Sequence, residues 1–536
     1  MLYGLEKRTM PERDETDPEQ HTSPDDVLRA WEATRNWWGW AAVLFLIAAV
    51  LLPQLACWGM FVDGVTYATI SRNLALGIGT WWEPCYTETL GATFHEHPPL
   101  VFVIQSLFFR VLGEHYLVEK AYSLATMLAT LALIPPIWRI LASSDPLLRK
   151  ASWLPVLLWI LIPDWNWAYK SNLLENTTGF FCLLAFLLTL RASGARSVVG
   201  EATWSAVSAT AIVAALLSKG PVGLFPLAAA PIIGLALARG ELRRGIRITC
   251  FTVAGVALLM AALISCEPVR VSLHQYVAQQ LLPALSGQRH AGSRWLVPTT
   301  LLEALTPMLV LVVLTLLVAK RHKRLGLVRR AMPPALACWL VGLSASLPMM
   351  VSQKIRAFYL VPSYPYFALG TGLFVAPVLA SWVPPLRGGM FGLLRARRVR
   401  RLVAAGIVVL VGLSLCLIGT PRKDRETLHE LQRLQSVVPR GTVIGGDASE
   451  PPDWLLHAVL YRYLLVSLDT GGSSSNRPFY LAVPGKAFPE DYENTGLVVR
   501  HRIVLKRSPQ PRRRAWHGRV SGRDHVNIRP GRTARR

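Results

Sequence analysis

Cysteine is scarce and unpatterned in this 536-residue chain: seven residues (Cys57, Cys85, Cys182, Cys250, Cys266, Cys338 and Cys416), none in CxxC spacing. That excludes a zinc ribbon and a thioredoxin-like redox motif, and leaves Cys85 with Cys266 as the pairing two outer loops could make. Acidic residues are also few, 33 Asp and Glu against 57 Lys and Arg, for a formal net charge of +24. Ionisable residues of either sign are thin in the apolar runs that recur from Trp40 to Ile418. Most of these runs are long enough to cross about 30 Å of hydrocarbon at about 1.5 Å per residue. With 52% hydrophobic residues, the chain reads as a polytopic membrane protein and not as a soluble one. The basic excess gathers in short linkers, which fits the positive-inside rule and implies no nucleic-acid partner. The first apolar run follows a polar leader and lacks a small-residue cleavage site, so a retained signal anchor with a cytoplasmic N-terminus is expected. No internal repeat is visible.

Five linkers hold the basic excess: Arg149 with Lys150, Arg191 to Arg196, Arg239 to Arg247, Lys320 to Arg330, and Arg387 to Arg401. Each is expected in the cytoplasm. Pairs of apolar runs separate neighbouring linkers, so the hairpins from Arg149 onward are self-consistent. Three runs lie upstream, at Trp40 to Trp58, Pro99 to Leu112 and Leu117 to Ile140. If all three crossed, Arg149 would fall outside. The middle run is the shortest and suits an interfacial segment. Eleven spans remain, near 40–58, 117–140, 152–169, 177–191, 204–218, 221–239, 247–265, 298–319, 332–351, 359–380 and 402–419. The expected class is an all-α polytopic membrane protein with interfacial helices in its first outer loop.

After Gly419 the hydrophobicity falls. A helical pattern (Thr427 to Val437), a strand (Thr442 to Gly446), an amphipathic helix (Asp453 to Ser467) and strands (Phe479 to Val483, Val498 to Leu505) predict a small α/β domain on the outer side. From Ser508 the chain is rich in Arg, Gly and Pro and reads as disordered, a solvated tail or one drawn to anionic headgroups. The divisions are thus 1–38, a cytoplasmic leader; 39–420, the membrane domain; 421–507, the outer α/β domain; and 508–536, the basic tail.

This topology gathers the unusual polar residues on one face. Asp63 follows an apolar run, and Glu96 precedes another in HEHPPL. A carboxylate beside a span is costly unless it has a partner or a task. Desolvation would raise the Asp63 pKa and suit it to general-base work; its bland alternative is a cap for the helix beginning at Val65. Two prolines after His97 fix the chain direction where a helix starts. His95, Glu96 and His97 are adjacent, and adjacent residues rarely all face one ion, so a metal site would need help from His274 or Glu175. A divalent metal stays open, and no other cofactor is implied. Lys219, Lys354 and Arg356, with Arg72 and Arg289, supply cations that a phosphate-bearing substrate at the membrane surface would need. A lone Lys or Arg there is more often a snorkelling interfacial cation; Lys219, set in a Gly220–Pro221 turn, departs most from that pattern. The same pairing could serve a transporter or flippase of lipid-linked sugars, but transport sites sit near the bilayer midplane.

Four ordered motifs, DGVTYATISRNLALG at Asp63, HEHPPL at His95, SKGPVGLFP at Ser218 and SQKIRAFYLVPSYPYFAL at Ser352, resemble the GT-C glycosyltransferases of the glycosyltransferase family 39 type. The likeness is to the bacterial aminoarabinose transferases that modify lipid A and, more distantly, to protein O-mannosyltransferases. It covers roughly the first 380 residues. The resemblance implies a GT-C fold and inverting transfer of a sugar from a polyprenyl phosphate donor to a lipid, glycan or protein acceptor. The site would face outward from a bacterial cytoplasmic membrane, with a role in cell-envelope glycan or lipopolysaccharide modification and no obligate protein partner. Asp63 matches the family's catalytic acid and Glu96 the second, which positions the acceptor or a metal. Lys219 leads the cations that would bind the donor phosphate, with Arg72, Lys354, Arg356 and His97. Tyr67, Asn172, Glu175 and Tyr359 would position substrate. The chain departs from the aminoarabinose transferases twice: His97 stands where they carry a lysine, and Glu175 with Asn172 where they carry an aspartate. Both departures imply a different sugar or acceptor.

Overall fold

The computed structural model describes residues 36–143, 146–237, 241–288, 293–352, 355–382, 390–447, 453–471, 474–486 and 490–508. The leader to residue 35, the tail from residue 509, Arg289 and Lys354 lie outside the described residues. Among the described residues, nine helices are long and apolar enough to cross a membrane: Asn36–Ala56, Leu117–Leu141, Leu174–Ser193, Val198–Lys219, Leu242–Ile264, Leu296–Arg321, Leu325–Val351, Ala357–Ala380 and Arg397–Cys416. They fall on nine of the eleven expected spans. The other two are broken paths. Trp153–Ile160 and Pro163–Lys170 meet at Pro163, which lacks the amide donor a continuous helix needs. The 3₁₀ helix Pro221–Ala228 hands over to Ala229–Ala236. The Leu100–Leu112 helix has 13 residues, a rise of roughly 20 Å, which is too short to cross.

Burial sorts these helices. Leu174–Ser193 and Ala357–Ala380 have 67% and 83% of their apolar windows covered by protein, against 11% for Leu242–Ile264 and 6% for Arg397–Cys416. Apolar residues such as Leu258, Leu402 and Val408 are exposed on the latter pair, as lipid contact permits. The two covered helices form the centre of the bundle, and they carry Glu175 and Tyr359.

Beyond the last span, helix Arg425–Leu434 leads into β1 (Val443–Gly446), helix Trp454–Leu464, β2 (Ser467–Asp469), β3 (Phe479–Ala482), β4 (Tyr492–Val499) and β5 (Arg502–Arg507). The sheet order is β2-β1-β3-β5-β4, with β1 parallel to β2 and β3, and β5 antiparallel to β3 and β4. Two local expectations need correction. The single strand expected over Val498 to Leu505 is a hairpin turning at Arg500 (φ 46) and His501 (φ 65). Such a turn normally recruits Asn or Gly; here Glu430 accepts from the Arg500 amide and Asp453 from its guanidinium, each at 2.9 Å. The helix expected to reach Ser467 ends at Leu464, because Leu465 turns left-handed (φ 56) and releases β2.

One buried core joins this domain to the segment between the first two spans. Val65, Ile70, Tyr86, Phe94 and Phe102 pack in the same cluster as Leu431, Ile444, Leu460 and Val504. Arg72, on the Val62–Ala75 helix, is fully buried and donates to the carbonyls of Tyr461 and Arg462, each at 2.9 Å. A cation there complements the dipole at the end of the Trp454–Leu464 helix. Arg462 in turn pairs with the equally buried Glu119 at 2.7 Å. Burying two charges this way makes their geometry unforgiving. Cys85 is buried and Cys266 exposed, and both are free thiols, so the pairing these two could make is not formed.

His457 sits in this core with its Nδ1 lacking a hydrogen-bond partner. Burial pushes its imidazole down to about 4, with the Asp453 charge opposing and Arg502 assisting. The unfolded chain therefore binds a proton that the fold refuses between pH 6.5 and 4, and stability falls as pH drops through that window. The slope is at most about 1.4 kcal/mol per pH unit for one proton. Thermal unfolding of the detergent-solubilised chain across pH 4–7 is expected to show this slope, and His457→Gln to flatten it; an unchanged slope in the variant rules His457 out as its source.

Candidate active site

The Val62–Ala75 helix starts from an extended Phe61 and carries Asp63 in its first turn. Gly64 makes this possible, since a Cβ there would lie 1.9 Å from the Ser171 carbonyl. The close approach lets Asn172 donate from Nδ2 to the Gly64 carbonyl at 3.1 Å, while its Oδ1 accepts from Gln105 Nε2 at 2.9 Å. Gln105 Oε1 accepts from Ser71 Oγ at 2.9 Å. Asn172, expected to position substrate, is buried and pins the start of the Asp63 helix instead.

Glu96 and His97 enter from the loop before the Leu100–Leu112 helix. The Tyr67 hydroxyl lies 3.3 Å from His97 Nε2, and the rings meet edge-on at 5.7 Å. Burial, with the Asp63 charge second, pushes the Tyr67 hydroxyl well above its usual range, so it stays protonated and available to hydrogen-bond. His95 turns the other way: it is buried, and burial pushes its imidazole down.

Lys219 ends the Val198–Lys219 helix, and Gly220 turns the chain at φ +88, where a Cβ would clash with the Tyr276 hydroxyl at 2.0 Å. The Lys219 ammonium pairs with Glu175 Oε1 and lies 4.1 Å from the Tyr359 ring centroid and 5.6 Å from that of Phe358. Aromatic faces attract cations electrostatically. Glu175 is only 1% exposed and its Oε2 has no hydrogen-bond partner. It does not reach the cavity, so it can act on a substrate only through Lys219.

These elements enclose a cavity of about 1090 Å³. Three carboxylates line it, Asp63, Glu96 and Asp164, together with the cations Lys219 and Arg356. Tyr67, Phe94, Trp167, Tyr359 and Trp454 contribute aromatic wall. A second, largely apolar groove of about 560 Å³ adjoins it, walled by residues such as Leu224, Phe225, Leu281 and Met349. His97, Lys219 and Tyr359 belong to both spaces and form their shared lip.

Of the residues expected from sequence, the structure brings together Asp63, Tyr67, Glu96, His97, Lys219, Arg356 and Tyr359. Arg72 is not among them: its guanidinium is committed to the carbonyls of Tyr461 and Arg462 in the sheet domain and cannot reach a phosphate here. His274 is exposed and lines neither space. Among the described residues, no three His, Cys, Asp or Glu side chains converge as a metal site. The wall residues missed include Asp164 and Trp454. Asp164 accepts from the Tyr364 hydroxyl at 2.6 Å; an acid inside the expected span 152–169 was the available signal. Trp454 comes from the C-terminal sheet domain, and nothing local announced it.

No protein-family model matches the sequence, and no curated protein sequence matches it. Solved structures do match. ArnT from Cupriavidus metallidurans bound to undecaprenyl phosphate aligns with a TM-score of 0.55 at 16% identity, covering 90% of this chain and 98% of that one. Its apo state gives 0.54 at 17% identity, over 88% and 98%. The Archaeoglobus fulgidus oligosaccharyltransferase in the apo form gives 0.50 at 11%, over 81% of this chain and 64% of its own. At such identities the likeness is one of fold, which does not by itself carry activity. The chain has the GT-C membrane fold that its four ordered motifs resemble, completed by a small sheet domain at its C-terminal end.

Proposed function

We propose that the protein is an inverting glycosyltransferase that moves a sugar from a polyprenyl phosphate donor to an acceptor on the outer face of a bacterial cytoplasmic membrane. The observation that carries this reading is Lys219 at the lip between a carboxylate-lined cavity and an apolar groove. An isoprenoid chain suits the groove, its phosphate suits Lys219 and Arg356, and the sugar suits the cavity beyond. ArnT, which shares the fold, was crystallised with undecaprenyl phosphate.

In this reading Asp63 takes the proton from an acceptor hydroxyl. The freed oxygen attacks the anomeric carbon, and the bond from that carbon to the phosphate oxygen breaks with its electron pair. Negative charge grows on the leaving phosphate, and Lys219 and Arg356 stabilise it without reorganising. Glu175 keeps Lys219 in place; Glu96 positions the acceptor. Charge supports the outward orientation: the 22-residue Val198–Lys219 helix leaves the basic Arg191 to Arg196 linker and ends at Lys219, away from the anchor that the positive-inside rule favours for the cytoplasm. A role in envelope glycan or lipopolysaccharide modification, by hexosyl or pentosyl transfer, fits that location.

The test uses the full chain in vesicles with a panel of radiolabelled polyprenyl phosphate sugars. Label recovered covalently in a lipid, glycan or protein fraction is the expected result, and an EDTA arm decides whether a divalent metal takes part. Label that merely changes leaflet would make the protein a transporter and sink the proposal.

A further inference from the structure

Among the described residues, the Trp454 indole is the one large side chain that the sheet domain gives to the cavity wall. It is 39% exposed although its neighbour Tyr86 is fully buried. The two rings stack at 5.9 Å and 16°, and the Tyr86 hydroxyl donates to the Trp454 carbonyl at 3.3 Å. One face of the indole is thus spent on Tyr86, and the residue lines the cavity while remaining partly exposed. The ring is held firmly. Trp454 opens a helix that Asp453 caps through the Leu456 amide at 3.1 Å, and Asp453 is itself gripped by Arg500 at 2.9 Å and Arg502 at 3.5 Å.

From this geometry we infer that the acceptor is a carbohydrate, whose apolar ring face packs on the other face of Trp454 while its hydroxyls reach the carboxylates of the cavity. The inference rests on the transferase reading and names its acceptor class. A sugar ring presents one C–H face and a rim of hydroxyl donors; a fixed aromatic platform beside Asp63, Glu96 and Asp164 offers a partner to each. A peptide that binds by strand addition would want an open strand edge, and among the described residues the sheet presents none at the cavity. The backbone of edge strand β2 is engaged by the first loop, with Thr89 Oγ1 donating to the Leu468 carbonyl at 2.7 Å. The other edge, β4, contributes no residue to the cavity. The sheet domain therefore sets acceptor specificity through one ring.

Saturation-transfer NMR on the detergent-solubilised full chain, with undecaprenyl phosphate added, tests this with two probes: a β-linked glucosamine disaccharide and a Ser/Thr-rich decapeptide. Saturation of the disaccharide ring protons is expected in the wild type, with about tenfold weaker binding in Trp454→Ala and near-normal binding in Trp454→Phe. Trp454→Leu, which keeps apolar bulk without a ring, is expected to behave like Trp454→Ala and serves if the latter does not fold. In the transfer assay the same variants should raise the acceptor KM and spare kcat. Disaccharide binding unchanged in both ring-less variants, or saturation of the decapeptide alone, overturns the inference and leaves the transferase reading standing. Failure of the wild type to bind undecaprenyl phosphate overturns both.

Discussion

Lys219→Ala is expected to lower sugar transfer by about a hundredfold or more and to cost about 3–5 kcal/mol of stability. The two losses have separate origins. The ammonium is the cation at the lip of both cavities, so its removal leaves the departing phosphate's charge poorly met. The same ammonium is the partner of Glu175, which is 1% exposed, so its removal also strands a carboxylate away from water. A second substitution separates them: Lys219→Ala with Glu175→Gln removes the stranded charge and should recover most of the stability but none of the transfer. Thermal unfolding in detergent and the vesicle transfer assay read the two quantities. Recovery of transfer in the double variant would show that Lys219 serves the fold and not the phosphate.

Asp63→Asn is expected to lower kcat by about 10²–10⁴-fold while donor binding and thermal stability stay near wild type. The substitution keeps shape and hydrogen-bonding capacity and removes only the base. It is also the right control against a structural role. Asn serves a helix start nearly as well as Asp, and the lost charge–dipole attraction in the first turn amounts to about 0.3–1 kcal/mol. Asp63 lines the large cavity but not the apolar groove, so a bound polyprenyl chain should not sense the change. Full transfer by Asp63→Asn would reduce Asp63 to a feature of its helix and require another base, with Glu96 and Asp164 the remaining carboxylates of the wall.

The gap between what was expected of Arg72 and what it does shows where local reading stops. Its place beside Asp63 in one motif made it a natural phosphate ligand. Whether a cation meets a phosphate or a helix end depends on what packs over it, and what packs over Arg72 is Tyr461 and Arg462. Asn172 and Glu175, expected to position substrate, likewise bond a neighbour, Gly64 or Lys219, and neither lines the cavity. The Arg500–His501 turn stayed invisible because its φ angles are held by Glu430 and by Asp453, far upstream.

Sequence alone determined what depends on nearby residues: nine of the eleven expected spans among the described residues, because crossing hydrocarbon is a matter of run length and charge; and the prominence of Asp63, Glu96 and Lys219, because an acid or base beside a span is conspicuous wherever it lands. Tertiary structure decided what depends on distant packing: which cations face the cavity, which acid is a clamp, and that Trp454 at the far end of the chain closes a wall begun at Phe61. Burial and ion pairing are properties of assembled surfaces, and neither has a period or a spacing along the chain to betray it.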